Sequence, residues 1–131
     1  MYKPYSDSIG ECLMITGVGT DIVEVSRIRR ALGCRDGFAE RIFTPAEREY
    51  CLSGGNSDQR FAGRFAAKEA VAKSLGTSLS WLDVEVLADQ SGKPVVRLLN
   101  GAVELADGRE VMLSISHCRS YAVAYAVAIS D

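Results

Sequence analysis

The sequence predicts an α+β fold in which a mostly antiparallel sheet packs on a long central helix. Residues from Ser57 or Asp58 to about Leu75 read as one alanine-rich helix that stops at Gly76. Two hairpins follow it, "DVEVLAD" with "VVRLL" and "VMLSISH" with "YAVAYAVAI". In the last strand Tyr121, Val123, Tyr125, Val127 and Ile129 share one face, and the other face is alanine throughout. A strand face without bulk accepts very close packing, and the alanine-rich helix is its natural partner.

The remaining elements follow in chain order. Residues 1–11 are polar and unpatterned and read as an extension, which leaves 12–131 as the domain. "CLMITGVG" (12–19) suits a buried strand. Ile22, Val25, Ile28 and Leu32 then recur at helical spacing, with Gly33 as the stop. "GFAERIF" is a short apolar-basic segment. In "TPAE" (44–47) Thr44 caps a helix, Pro45 fits its first position and Glu47 completes a capping box. That helix ends in the loop "SGGNS", and "QSGKP" supplies the turn of the first hairpin.

The chain has 131 residues, the size of one compact domain, and its 47% apolar and 24% charged residues are ordinary globular usage. No run approaches the roughly 18–20 apolar residues of a membrane span. The first residues lack the order of a signal peptide, so a cytoplasmic protein without membrane contact is expected. Four cysteines without a C-x-x-C pair and one histidine argue against zinc. A net charge of −2 argues against nucleic acid as the main partner. Between residues 27 and 48, however, arginines outnumber acids. That face suits docking of an acidic macromolecule or a phosphate, or is a solvated helix surface.

Three features bear on chemistry. Gly17-Val18-Gly19-Thr20-Asp21 lacks the third glycine of a dinucleotide fingerprint, and no parallel β-α-β unit follows. Asp21 therefore either caps the next helix or is a ligand at a strand end. Glu69 sits on a stripe with Phe61, Phe65 and Lys73 at intervals of four. On an exposed stripe Glu69 and Lys73 would simply pair; on a buried one the carboxylate needs a cation. Two carboxylates without clustered cysteine or histidine are hard oxygen ligands suited to Mg²⁺, with remaining ligands from water and substrate phosphates. His117 ends a strand, either as a rim residue or as a group titrating near neutrality beside Ser114 and Ser116.

The segments "GVGTDIVEVSRI", "FAERIFTPAE", "FAGRFAAKEAVAKSLGT", "SGKP" and "SISHCRSYAVAYAV" occur in the order and spacing of a known family. From residue 14 to 129 the chain resembles the holo-(acyl-carrier-protein) synthase family of 4′-phosphopantetheinyl transferases. The resemblance implies transfer of 4′-phosphopantetheine from coenzyme A to a serine of an apo-acyl carrier protein, with release of adenosine 3′,5′-bisphosphate. It implies Mg²⁺ held by Asp21 and Glu69, and a homotrimer with active sites at the subunit interfaces. By the same resemblance Lys73 meets the coenzyme A phosphates, and His117 contacts the nucleotide or helps with the proton. Glu69 or a metal-bound water is the base. Arg64 and Gly92-Lys93-Pro94 match segments lining the nucleotide, and Arg27, Phe38 and Arg41 match the surface that receives the carrier protein. The chain departs from the family's usual pattern at Ser78, where glycine is common, and at Cys118. A non-catalytic carrier-binding module of the same fold is the alternative, and a Mg²⁺-dependent phosphatase a third reading.

Overall fold

In the computed structural model, which describes residues 13–130, the elements run β1 (Met14–Glu24), α1 (Val25–Cys34), α2 (Phe38–Ile42), α3 (Pro45–Leu52), α4 (Ser57–Leu75), a 3-10 turn (Trp81–Asp83), β2 (Val84–Ala88), β3 (Pro94–Leu98), α5 (Gly101–Ala106), β4 (Glu110–His117) and β5 (Tyr121–Ser130). The expected extension, residues 1–11, and Cys12 lie outside the described residues.

The strands form two antiparallel sheets, a three-stranded one in the order β1-β5-β4 and a β2-β3 ribbon. In the larger sheet Gly19 pairs with Ala126, Asp21 with Ala124 and His117 with Ala122. α4 lies across its inner face. Ala122, Ala124, Ala126 and Ala128 of β5 are fully buried, as are Ala62, Ala66, Ala67 and Ala70 of α4. Helix and sheet thus meet alanine against alanine. At β1 the approach is closer still. A Cβ on Gly19 would collide with the Ala70 carbonyl oxygen and stand 2.7 Å from the Ser74 nitrogen. Gly17 makes the same kind of approach to Ser74. These two glycines admit a helix, not a dinucleotide.

Several boundaries differ from the sequence reading. β1 is not a short buried strand ending at Gly19, because it continues through Glu24 in register with β5. Ile22, expected on the apolar face of α1, lies on the outer face of the sheet and is 63% exposed. Asp21 accordingly caps no helix. α1 begins at Val25 and includes Gly33, which meets no atom that would stop it. α4 is preceded by Asn56 in the left-handed region rather than capped by Ser57 or Asp58. α5, six residues long, carries too little periodicity to be anticipated.

The "TPAE" segment forms the expected capping box. Thr44 Oγ1 accepts from the Glu47 amide at 3.2 Å, and the Thr44 amide donates to Glu47 Oε1 at 2.8 Å. Glu47 is fully buried and also accepts from the Lys68 ammonium at 2.7 Å, a contact across 21 residues that local spacing does not announce. Burial pushes the Lys68 ammonium below the usual lysine range, while Glu47 beside it pulls the other way. Among the described residues no helix is long and apolar enough to cross a membrane.

Candidate active site

The Phe61-Phe65-Glu69-Lys73 stripe explains how a charge emerges from a core helix. An α-helix turns 100° per residue, so each step of four rotates the stripe by about 40°. Phe61 is buried against Phe43, with ring centroids 4.9 Å apart. Phe65 is half-buried and stacks on Trp81 at 5.0 Å. Glu69 is half-buried and Lys73 exposed. The stripe climbs out of the core as it advances.

Where it emerges, it meets β1. The Lys73 ammonium donates to the Thr20 carbonyl at 3.0 Å and reaches Asp21 Oδ1 at 3.5 Å. Glu69, one turn earlier, has no hydrogen bond or ion pair among the described residues, so Lys73 is the partner of Asp21 and not of Glu69. Glu69 and Lys73 line a cavity of about 500 Å³ with Trp81 and the loop Gly76–Leu79, which contains Ser78. Asp21 thus meets the Lys73 ammonium, and Glu69 lies one turn before Lys73 on α4, lining the cavity with it. The donor set fits Mg²⁺: two hard oxygens from the protein, with no third acid, histidine or cysteine clustered beside them among the described residues.

A second cluster lies at the β4 edge of the same sheet. Arg64, His117, Arg60 and Asn56 line a cavity of about 260 Å³ at the start of α4. The Arg64 guanidinium lies 4.2 Å from the Tyr50 ring centroid, and its buried Nε has no hydrogen-bond partner. No side chain caps α4, so its first-turn amides are left for a ligand or water. Two guanidiniums, a histidine and an uncapped helix start give this cavity the charge and donors that an anion would need. Arg60 was missed by sequence reasoning; its position one turn before Arg64 was the available signal.

Arg27, Phe38, Arg30, Arg35 and Phe65 line a groove of about 340 Å³ between α1 and α2, a mixed basic and apolar surface. Arg41 is not in it and instead donates to the Asp36 carbonyl at 3.0 Å. Lys93 and Pro94 join neither phosphate-suited cluster. They line a separate groove between β3 and residues 110–113 of β4, and Gly92 sits in the turn with φ +87°.

Residues 17–126 match the sequence pattern of the 4′-phosphopantetheinyl transferase superfamily. The chain belongs to that family. It is 47% identical over 122 residues to the holo-[acyl-carrier-protein] synthase of Alkaliphilus oremlandii, covering 88% of this chain and all of the relative. Among solved structures it is similar to the Bacillus anthracis holo-(acyl-carrier-protein) synthase in complex with CoA (3′,5′-ADP). The TM-score is 0.77 and the identity 42%, over 90% of this chain and 99% of that one. The holo-ACP synthase of Plasmodium yoelii superposes with a TM-score of 0.82 at 33% identity, over 92% and 99% of the two chains. The family's α+β architecture is the one seen here, with the expected antiparallel sheet divided into two.

Proposed function

We propose that this chain transfers 4′-phosphopantetheine from coenzyme A to a serine of an apo-acyl carrier protein, releasing adenosine 3′,5′-bisphosphate. The observation that carries the reading is the meeting of β1 and α4, which brings Asp21 onto Lys73, one turn along α4 from the unpaired Glu69. Attack on the β-phosphorus of a diphosphate needs charge neutralised on the phosphates, an in-line arrangement and a base. Asp21 and Glu69 would hold Mg²⁺, whose chemistry there is to neutralise the diphosphate oxygens. Lys73 adds a mobile point charge on the leaving side. Glu69 takes the serine proton, since within one copy it is the carboxylate beside the Asp21–Lys73 pair.

The nucleotide end is assigned to the other cluster. Arg64, Arg60, His117 and the open start of α4 suit its phosphate. Arg64 and Glu69 are five residues apart on α4 and so point about 140° away from each other. Asp21 belongs to β1 and His117 to β4, at opposite edges of a three-stranded sheet about 10 Å across. This divergence favours a site in which the two clusters meeting one coenzyme A come from different copies. The site is completed between copies, the β1 edge of one facing the β4 edge of the next. Such a heterologous contact gives a ring when its rotation closes, and the family resemblance supports three copies. Val18, Ile22, Met112, Tyr121 and Tyr125 form the exposed apolar outer face that the assembly covers. The Arg27–Phe38 groove receives the acidic carrier, with Arg41 at its flank.

The test is to incubate the protein with coenzyme A, Mg²⁺ and an apo-carrier, then weigh the carrier. A phosphopantetheinyl mass gain that chelator abolishes is expected. Glu69→Gln should eliminate the gain while leaving stability within about 0.5 kcal/mol, since Glu69 makes no polar contact to lose. Near-normal transfer by Glu69→Gln overturns the assignment.

A further inference from the structure

Lys68 and Glu47 are buried charges that the reaction above does not use. Their side chains are 1% and 0% exposed. An ammonium has three N–H donors, and those of Lys68 go to Glu47 Oε1 at 2.7 Å, the Ile42 carbonyl at 2.8 Å and the Trp81 carbonyl at 2.8 Å. The Glu47 carboxylate accepts further from the Thr44 amide at 2.8 Å and the Val86 amide at 2.9 Å. One ion pair therefore joins the end of α2, the start of α3, the Trp81 turn and β2 to α4.

Stability alone does not call for such a pair, because apolar residues of similar volume often serve as well or better. Direction does. α2 is five residues long, too short to hold itself as a helix, and its last carbonyl ends on Lys68. α2 carries Phe38 and Arg41. The Trp81 carbonyl ends on the same ammonium, and the Trp81 ring stacks on Phe65 and lines the Glu69–Lys73 cavity. A small void of about 30 Å³ touches both Lys68 and Glu69.

We infer that Lys68 and Glu47 are positioning residues that hold the α2 docking element and the Trp81 turn in fixed register with Glu69, so that a docked carrier presents its serine to the reacting phosphate. The inference rests on the assignment of the Arg27–Phe38 groove to the carrier.

The double variant Lys68→Met/Glu47→Gln removes both charges together, keeps the lysine stem's volume and leaves an acceptor for the Thr44 amide. With folding checked by circular dichroism, its carrier KM should rise at least about tenfold while its coenzyme A KM stays within about twofold. A general loosening of the fold would move both constants. If the double variant does not fold, Glu47→Gln alone, which retains the Lys68 bonds to Ile42 and Trp81, should raise the carrier KM about threefold with the same asymmetry. A folded variant with an unchanged carrier KM, or one whose two KM values rise together, overturns the inference. Failure of the unsubstituted chain to modify the carrier is a different result and overturns the underlying reading as well.

Discussion

Replacing Gly19 by alanine tests the contact on which the site is built. The added methyl group would collide with the Ala70 carbonyl oxygen and stand 2.7 Å from the Ser74 nitrogen. Ordinary contact begins at 3.4 Å, a shortfall of about 0.7 Å even at the second atom. The obstacles are helix backbone, not the ends of flexible side chains, so the strand must retreat. Gly17 packs against the same helix, which prevents β1 from pivoting about that end. Overpacking typically costs about 1–3 kcal/mol, and backbone against backbone places this case at about 3 kcal/mol. For a domain of this size that lowers Tm by on the order of 10 °C. Asp21 follows Gly19 on the same face of β1, so its retreat also draws Asp21 from Lys73 and transfer falls. Gly33→Ala is the control. It lies inside α1 with nothing within 4 Å of a Cβ, and should raise stability by about 0.5–1 kcal/mol. Urea titrations at one protein concentration, paired with the carrier mass assay, read both variants. Full stability and full activity of Gly19→Ala would refute the close approach of β1 to α4.

Four further outcomes are expected. Burial pushes the Cys51 thiol up to about 11 from the usual 9.0, so Cys51 should resist alkylation in the native protein while exposed Cys34 and Cys118 react. Backbone amides of Ser120 and Tyr121 hold the Cys118 thiol below its usual range, and peptide mapping should find it modified at lower pH than a free thiol requires. Because the native state holds the Cys51 proton more tightly than the unfolded chain, its stabilising contribution is complete below pH 9 and lost as pH rises through about 11. The stability difference between the unsubstituted chain and Cys51→Ala should narrow over that interval; a constant difference counts against it. Ile22→Asp places a charge on the exposed outer face and should leave the fold of each copy intact. Sedimentation should then report smaller particles and the mass assay lost transfer, whereas an active assembly of unchanged size would exclude that face as the interface.

Much of the architecture could be read locally. The capping box at Thr44–Glu47, the alanine face of β5 and the glycine stop after α4 each declare themselves within a few residues, because caps and periodicities are short-range physics. The candidate site was legible residue by residue, but its grouping was not. Lys73 could be read as the partner of Glu69 from their spacing, yet it reaches across 52 residues to Asp21. Arg64 and Glu69 look adjacent in the chain, and the helix turns them toward different clusters.

By itself the sequence determined α3, the long helix α4, the two hairpins, the small-residue surfaces that let helix and sheet touch, and the identities of the carboxylates, lysine and arginines available for chemistry. Tertiary structure decided the rest. Pairing with β5 extended β1 through Glu24 and made Asp21 a strand residue, because ladder hydrogen bonds to a strand a hundred residues away outweigh a helical spacing of apolar side chains. Burial made Glu47 the counterion of Lys68 as well as a member of the capping box. The mismatch between steps of four and a helical turn of about 3.6 residues carried the Phe61 stripe from core to solvent, placing Glu69 and Lys73 beside β1.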